Sequence, residues 1–219
     1  MPSSQAARPR ARRSAATPEA LHLQRLWAID PLPGGFYARP ARDVARALLG
    51  QILVSESPEG RAAGRIVETE AYTGPEDPAC HAAARVGRTR RNDPLFGPPG
   101  TAYIHQNYGV HWCLNAVTDR EGHPAAVLIR ALEPLEGMEV MRSRRGRDEL
   151  TNGPARLTEA LGIGPEHQRH VLREPPVWIG AGDPVADEQV VNTSRIGISK
   201  AADRALRYYV KESAWISRR

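Results

Sequence analysis

The stretch from Arg65 to His81, RIVETEAYTGPEDPACH, constrains the fold most, because it joins a strand pattern directly to a loop rich in polar groups. Residues 65–72 alternate as a strand does, with successive side chains pointing to opposite faces. One face carries two carboxylates and a phenol and consists of Ile66, Glu68, Glu70 and Tyr72. The other is predicted to be the packed face and consists of Val67, Thr69 and Ala71.

The loop that follows this strand adds Glu76, Asp77 and His81 to the two acids. Carboxylates that lie close together shift one another's pKa, and such clusters are enriched at active sites. An edge strand whose acids simply face solvent gives the same pattern, since many exposed carboxylates have no catalytic role. Spacing alone therefore leaves both interpretations of Glu68 and Glu70 open.

Length and composition limit the class of protein. A chain of 219 residues suits one domain with a sizeable core. No apolar run approaches the ~20 residues that span a bilayer, so we expect no membrane insertion. The two cysteines, Cys80 and Cys113, cannot form a disulfide framework and lack zinc-finger spacing, which favours a reducing compartment.

The positive charge of the chain favours a polyanionic partner. The formal net charge is +5 and the pI is about 9.6. Lys200 and Lys211 are the only lysines, so nearly all of the positive charge is arginine, which codon usage alone could produce. Two arginine clusters, at 85–91 and 142–147, are harder to explain in that way, because the planar guanidinium pairs well with phosphate.

The composition along the chain predicts a tail and one domain. Residues 1–17 are mostly Ser, Ala, Pro and Arg without an acid, which predicts a disordered basic tail that lacks the apolar segment of a secretory signal. Residues 18–219 form the predicted domain, and its first element is a short helix from Pro18 to about Ile29.

Short strands, many joined by hairpin turns, alternate with peripheral helices, which predicts an α+β fold on a mainly antiparallel sheet. Helices are predicted at 40–50, 134–145 and 154–161. Strands are predicted at 51–55, 65–72, 102–107, 111–117 and 125–132, with a turn at 57–64. Three further strands are predicted in the segments VWIG, SRIGIS and LRYYV.

Arg130 interrupts the most apolar predicted strand, AAVLIRAL at 125–132. A guanidinium inside such a run is costly unless it is paired. Arg130 therefore either caps an exposed edge or serves a polar site.

Three kinds of chemistry could use the acids and the histidine of the first stretch. Metal hydrolysis needs two or three ligands and an open position, but the chain has no HExxH and no Asp-rich loop. Nucleophilic catalysis needs an activated Ser or Cys, and there is no GxSxG. A carboxylate that activates water against a glycosidic carbon needs neither a metal nor another cofactor, and Glu70 beside Tyr72 and His81 can supply it.

Several motifs in order now indicate a family. The run RIVETEAYTGPEDPACH, followed by RNDPLFGPPGTAYIHQNYGVHWCLN, RALEPLEG, NGPARLTEALGI and RIGIS, resembles the alkyladenine (3-methyladenine) DNA glycosylases of bacterial type. The likeness spans about Phe36 to Trp215. It implies a compact domain with a curved sheet and a protruding β-hairpin that enters the minor groove of DNA.

The activity implied by the resemblance is base excision repair of damaged purines. Such an enzyme flips 3-methyladenine, 7-methylguanine, hypoxanthine or ethenoadenine out of duplex DNA and hydrolyses the N-glycosidic bond, with no cofactor and no metal. Glu70 is expected to deprotonate the attacking water, and Arg130 to help hold that water. Tyr72, His81 and Asn115 are expected to line the base pocket.

The resemblance also implies residues that contact the duplex. Tyr108, at the hairpin tip, is expected to fill the gap that the flipped nucleotide leaves. Contacts to the DNA backbone are expected from the arginine clusters, namely Arg88, Arg90, Arg91, Arg142 and Arg145.

The chain departs from the family pattern at one pocket position. Two residues after Tyr103, His105 stands where a second tyrosine is usual in the family. A histidine can stack and form hydrogen bonds, but it offers a smaller ring and is charged at low pH. We therefore expect His105 to narrow or shift the range of lesions that the pocket accepts.

The other residues of note have simpler interpretations. Tyr103 and Trp112 are predicted to pack in the core or the hairpin, since aromatic side chains dominate core burial. Glu68 is predicted to be a structural hydrogen-bond acceptor, and His111 and His123 are predicted to be surface groups.

The first hypothesis is a monofunctional DNA glycosylase that acts as a monomer on double-stranded DNA. It would be cytoplasmic and nucleoid-associated in a bacterium, or nuclear in a eukaryote. No lysine lies near the predicted site, so no strand cleavage through a Schiff base is expected. A non-catalytic module that binds damaged DNA or RNA is the alternative, and a metal-dependent hydrolase is a distant third.

Overall fold

The computed structural model describes residues 29–107 and 109–218. The predicted tail, almost all of the helix predicted from Pro18, and Tyr108 lie outside the described residues. Within the described ranges, no helix is long and apolar enough to cross a membrane.

Nine strands of the described residues form one antiparallel sheet. They are β1 (Ile52–Ser57), β2 (Gly60–Tyr72), β3 (Ala102–Asn107), β4 (His111–Thr118), β5 (Ala125–Glu136), β6 (Arg173–Glu174), β7 (Val177–Gly180), β8 (Val190–Thr193) and β9 (Arg207–Val210). The order is β3-β4-β5-β2-β1-β7-β6, and β9 pairs with both β2 and β8. The single curled sheet with few helices confirms the predicted α+β fold.

The helices lie at the periphery of this sheet, as their apolar faces predict. They are α1 (Gly34–Tyr37), α2 (Ala41–Leu48), α3 (Met138–Arg145) and α4 (Pro154–Leu161), with 3₁₀ turns at Asp93–Phe96, Pro165–His167 and Asp187–Gln189. In α2, Val44 and Leu48 are fully buried in the main core, and burial of such a side chain contributes about 1.5–3 kcal/mol.

The strand β2 connects most of the sheet. One of its edges pairs with β5, and the other pairs first with β1 and then with β9. The prediction of a turn over 57–64 is wrong, because β2 already begins at Gly60. The first part of the strand consists mainly of small residues, so it shows no alternation of polar and apolar side chains. At Gly64 a small residue is required, because a Cβ there would lie only 2.9 Å from the Cβ of Leu132.

The predicted faces of β2 need a correction. The pairing register with β5 shifts between Ile66 and Glu68 and again between Glu68 and Thr69, which marks a bulge. Ile66 consequently packs in the same core cluster as Ala71, not on the face of the acids. Because β2 is paired on both edges, the interpretation of Glu68 and Glu70 as solvated residues of an edge strand is wrong, and both are fully buried.

Two further predictions differ from the structure, and two strands were missed. The segment predicted as a helix from Pro134 continues β5 to Glu136, and α3 begins only at Met138, after Gly137 in a left-handed conformation. The segment SRIGIS (194–199) is not a strand, because its groups bond to the site described below. The strands β6 and β8 were not predicted.

Candidate active site

The carboxylate of Glu68 lies in a closed network of donors. Arg207 in β9 donates through Nε to its Oε1 at 2.7 Å. Near the C-terminus, Ser217 donates its backbone N–H to Oε2 at 2.6 Å and its hydroxyl to Oε1 at 2.9 Å. Arg130 Nε lies 3.4 Å from Oε1. Glu68 therefore accepts structural hydrogen bonds, as the sequence predicts.

Glu70 lies two residues further along β2 and has a different set of partners. The backbone N–H of Ile196 donates to Oε1 at 2.7 Å, and Arg130 Nη1 lies 3.2 Å from the same oxygen. The hydroxyl of Tyr72 donates to Oε2 at 2.8 Å. Arg130 thus lies between the two carboxylates, which explains how a charge is tolerated inside an apolar strand.

A cavity of about 160 Å³ opens above Glu70. All three partners of the carboxylate, namely Tyr72, Arg130 and Ile196, line this cavity. The remaining walls carry rings, thiols and one amide, from His81, Tyr103, His105, Cys80, Cys113 and Asn115 among others. The volume is below the ~300–1,000 Å³ of clefts for drug-sized ligands, so the cavity suits a small flat group.

Three rings form one wall of the cavity. The centroids of His81 and His105 are 4.0 Å apart, and the Nδ1 of His81 lies 3.0 Å from the hydroxyl of Tyr103. Tyr103 is buried in a small apolar cluster with Cys80 and Leu95. The prediction of packing for Tyr103 is correct but incomplete, because its ring also lines the cavity.

Two imidazoles of this wall have a lowered pKa. Burial, together with His81 and then Arg91, lowers the pKa of His105 to about 3. Burial and the nearby Arg91 also lower the pKa of His81, although that side chain keeps contact with solvent. The Nδ1 of His105 is buried and has no hydrogen-bond partner among the described residues.

Tyr72 forms another part of the cavity wall. Burial first, and then the charge of Glu70, raises the pKa of Tyr72 well above its usual range, so its hydroxyl remains a donor. The guanidinium carbon of Arg195 lies 4.7 Å from the centroid of the Tyr72 ring. Arg195 also binds both oxygens of Asp77, at 2.5 and 2.8 Å, and both of these side chains are fully buried.

The loop after β2 carries His81 and is held by buried polar groups. The Nδ2 of Asn92 donates to the backbone carbonyls of His81 and Gly87, and Asp77 fixes the start of the loop through Arg195. Glu76 is exposed and does not join the site. His123 is half-buried against the carbonyl of Thr73, so the prediction of a surface group is wrong for it.

The structure places most of the predicted site residues together. Those that line the cavity or contact Glu70 are Tyr72, His81, His105, Asn115 and Arg130. The amide of Asn115 donates to the carbonyls of Tyr103 and Cys113, which fixes its position. Burial raises the pKa of Cys113 to about 11, so this thiol in the cavity wall stays protonated.

The two arginine clusters occupy different places. Arg91 lies near the mouth and donates to the carbonyl of Gln106, while the exposed Arg88 pairs with Asp93. Arg142 and Arg145 lie on α3, which packs against α4 and the beginning of β2, at the end opposite Tyr72. Arg145 pairs with Glu159. Contacts of these residues with DNA stay predictions, as they do for the exposed Arg90.

Sequence analysis missed two residues that order the site, Arg195 and Arg207. Each lies in a polar segment near the C-terminus, and each pairs with an acid more than a hundred residues earlier, Asp77 and Glu68 respectively. The only sign of either arginine in the sequence was that Arg195 belongs to the segment RIGIS, one of the motifs of the family resemblance. Within residues 29–107 and 109–218, no group of three His, Cys, Asp or Glu side chains is arranged to hold a metal ion.

Comparison with known proteins agrees with this geometry. Residues 35–214 match the family model of methylpurine-DNA glycosylase. A protein of Salinibacter ruber is 50% identical over 202 residues, which cover 86% of this chain and 97% of that protein. A protein of Rubrobacter xylanophilus is 53% identical over 165 residues, covering 74% and 85%. A third, of Methanoculleus marisnigri, is 47% identical over 194 residues, covering 86% and 99%.

Each of these relatives is provisionally named a 3-methyladenine DNA glycosylase. The chain belongs to the methylpurine-DNA glycosylase family. It is therefore a hydrolase of N-glycosyl bonds in damaged DNA, of the 3-methyladenine glycosylase type.

Proposed function

We propose that this glycosylase flips alkylated or deaminated purines out of duplex DNA and releases them with a water molecule that Glu70 activates. The observation that carries the proposal is the place of the Glu70 carboxylate. It lies directly below a cavity lined with rings, and its partners among the described residues, Tyr72, Arg130 and Ile196, are all part of the cavity wall. A base held in that cavity brings its glycosidic carbon toward the carboxylate.

The rings of the cavity supply the binding surface for the base. Tyr72 offers one ring face, and the wall of His81, Tyr103 and His105 encloses the base from other sides. Stacking on such rings offsets the few kcal/mol that unstacking a nucleotide from the duplex costs. Asn115, held by two carbonyls, disfavours undamaged guanine through its exocyclic amine.

The chemical step needs one base and one stabilising charge. Glu70 takes a proton from water, whose oxygen forms the new bond to C1′ as the bond from C1′ to the purine nitrogen breaks. The departing purine keeps the electron pair of that bond, and an abasic site remains in the DNA. The carboxylate also stabilises the oxocarbenium-like transition state, and Arg130 fixes the carboxylate and helps to hold the water.

The hairpin of β3 and β4 is the proposed contact with the minor groove. Val110 at its tip is 70% exposed, which suits insertion of an apolar group between bases. Tyr108, outside the described residues, remains the proposed wedge. Arg91 is the proposed backbone contact with the most support, because it lines a pocket beside His81, Tyr103 and His105 at the mouth of the cavity.

The test uses a duplex with a single hypoxanthine or ethenoadenine, incubated in EDTA and treated with alkali to reveal abasic sites. Wild type and Glu70→Gln are compared, and a gel-shift measurement reports lesion binding by both. We expect release by wild type alone. If both proteins bind the lesion and neither releases a base from these duplexes or from one with 3-methyladenine, the proposal of catalysis fails and the binding module stands.

The same assay without alkali tests the monofunctional character. Both lysines, Lys200 and Lys211, are exposed, and neither lines the cavity. We expect no strand cleavage before alkali is added, because a Schiff base requires an amine at C1′. Cleavage by the purified protein alone would contradict this part of the proposal.

The position of His105 allows a separate test of which lesions the enzyme accepts. Its ring is in the cavity wall, where the resemblance predicts a tyrosine. We expect His105→Tyr to change the relative excision rates of hypoxanthine, ethenoadenine, 7-methylguanine and 3-methyladenine. An identical profile for the variant and wild type would show that the residue has no influence on selectivity.

A further inference from the structure

Arg195 contacts three separate parts of the site. Its Nη1 donates to the backbone carbonyl of Ala71 in β2 at 2.9 Å. The same nitrogen and Nη2 bind the two carboxylate oxygens of Asp77, in the loop that leads to His81. Its guanidinium carbon lies 4.7 Å from the centroid of the Tyr72 ring. The side chain of Arg195 is fully buried, so water does not compete for these contacts.

Two of the donors to the Glu70 carboxylate are neighbours of Arg195. The hydroxyl of Tyr72 donates to Oε2 at 2.8 Å, and the ring of this tyrosine is the one that the guanidinium contacts. The backbone N–H of Ile196 donates to Oε1 at 2.7 Å, and Ile196 directly follows Arg195 in the chain. The third partner, Arg130, comes from a different strand, β5. Each oxygen of Glu70 therefore accepts a hydrogen bond from a group that Arg195 holds.

The segment that carries Ile196 has no regular structure of its own. Residues 194–199 lie in neither a helix nor a strand. The N–H of Ile196 is thus placed by the bonds of its segment, and Arg195 supplies three of them, to Ala71 and Asp77. Because the planar guanidinium matches both oxygens of a carboxylate, the pair with Asp77 fixes an orientation as well as a distance.

We propose that Arg195 is a positioning residue for the chemical step, which holds Tyr72 and Ile196 so that the Glu70 carboxylate faces the attacking water in one fixed orientation. The proposal rests on the proposed function, because it concerns the acid that is proposed to activate water. A shift of about 1 Å in a reacting group can lower a rate about 100-fold. Arg195 therefore acts on the rate of excision more than on the binding of the lesion.

A second arginine provides a matched control. Arg207 is also buried and pairs with a buried acid, Glu68. Its guanidinium carbon lies 4.7 Å from the centroid of a tyrosine ring as well, that of Tyr209. Neither Arg207 nor Tyr209 lines the cavity. The two arginines therefore have the same kinds of contact, and they differ in whether those contacts reach the groups around Glu70.

The test compares Arg195→Lys with Arg207→Lys. Lysine keeps the positive charge but cannot bind both oxygens of a carboxylate in one plane. Single-turnover excision is measured on duplexes with hypoxanthine, ethenoadenine or 3-methyladenine, over a range of enzyme concentrations. This separates the rate at saturating enzyme from the concentration that gives half of it. Urea denaturation followed by circular dichroism reports the stability of each variant.

We expect Arg195→Lys to lower the saturating rate about 100-fold and to change the half-saturating concentration less than about ten-fold. Arg207→Lys should lose stability to a similar extent and keep the saturating rate within about three-fold of wild type. Equal losses of rate in the two variants would mean that Arg195 is only structural. A wild-type rate for Arg195→Lys at saturating enzyme would also overturn the proposal. If wild type releases none of the three bases, the proposed function itself has failed, which is a separate outcome.

A double-mutant cycle tests whether Arg195 acts through Glu70. If it does, adding Arg195→Lys to Glu70→Gln should lower the remaining rate by less than about three-fold, because residues that act as a unit are not additive. A further loss as large as that of Arg195→Lys alone would show an independent role, and the proposal would be wrong.

Another variant keeps the proposal testable if Arg195→Lys does not fold. Asp77→Asn/Arg195→Gln replaces the buried ion pair by two amides and leaves no unpaired charge. The guanidinium against Tyr72 is lost, and so is the pairing of two planar charged groups. We expect the same loss of the saturating rate, about 100-fold. A folded double variant that excises at the wild-type rate would contradict the proposal.

Discussion

Two carboxylates of one strand, Glu68 and Glu70, lie in surroundings that differ in one respect. Both are fully buried and both contact Arg130. Glu68 is enclosed by Arg207 and Ser217, neither of which lines the cavity. Glu70 is enclosed by groups that line the cavity. Burial and pairing therefore do not separate the proposed catalytic acid from the proposed structural one; the position of their partners does.

The largest expected effect is on the rate of excision. Glu70→Gln keeps the size of the side chain but removes the base and turns one acceptor oxygen into a donor, so single-turnover excision should fall about 10³-fold. Glu68→Gln, the matched control in the same strand, should lose no more than about ten-fold. Equal losses in both variants would mean that the two acids act as one unit and that the contrast between them is false.

The second expectation concerns stability and has the opposite order. Glu68→Gln leaves Arg207 and Arg130 without a full counter-charge in a buried place, which should cost about 3 kcal/mol in the free energy of unfolding. Urea denaturation followed by circular dichroism measures this difference. For Glu70→Gln the loss should be smaller, and a loss as large as that of Glu68→Gln would count against the separation of roles.

A second pair of variants removes, for each carboxylate, one hydroxyl group that donates a hydrogen bond to it. Tyr72→Phe deletes the donor to Glu70, and excision should fall about ten-fold, since a hydrogen bond to a charged group contributes about 1.5–3 kcal/mol. Ser217→Ala deletes a donor to Glu68 and should lower the unfolding free energy by about 1 kcal/mol, with excision within about two-fold of wild type. Loss of activity in Ser217→Ala would show that the Glu68 network reaches the chemistry through Arg130.

The last expected effect is a pH dependence of stability on the cavity side. The pKa of His105 is about 3 in the folded protein and about 6.5 in an unfolded chain. Between these values the unfolded chain binds a proton that the folded chain does not, so this histidine makes stability fall as the pH decreases from 6.5 toward 3.

Tyrosine is neutral over that whole range, so His105→Tyr should reduce the slope of the unfolding free energy against pH. The reduction should correspond to a difference of less than one bound proton between the unfolded and the folded chain. Urea titrations at a series of pH values between 3.5 and 7 measure the slope for the variant and wild type. Parallel curves for the two proteins would contradict the assigned protonation state.

The sequence predicted the second half of β2 but not the first, for a physical reason. From Arg65 onward the side chains are large and alternate, whereas Gly60 to Gly64 contains mainly small residues that carry no alternating signal. The bulge next to Glu68 was also invisible, because a shift of register depends on the partner strand. Ile66 was assigned to the wrong face for that reason.

The site shows the same division between local and distant information. Arg130 was recognisable because a charge inside an apolar run requires a partner. Glu70, Tyr72 and His81 were recognisable through the family resemblance. Arg195 was not, since it lies in a polar loop and its partner Asp77 is 118 residues away in the chain. A single sequence carries no sign of which distant acid such an arginine meets.

The bond between Ser217 and Glu68 has a consequence for biosynthesis. The two residues are 149 positions apart, so the acid leaves the ribosome long before its last donors. At about 5–20 residues per second, the wait is roughly 7 to 30 s. Until Arg207 and Ser217 have been synthesised, the carboxylate of Glu68 lacks these donors, and burial of a charge without its partners is costly. The carboxylate of Glu68 can therefore gain its full set of donors only after residue 217 has been synthesised.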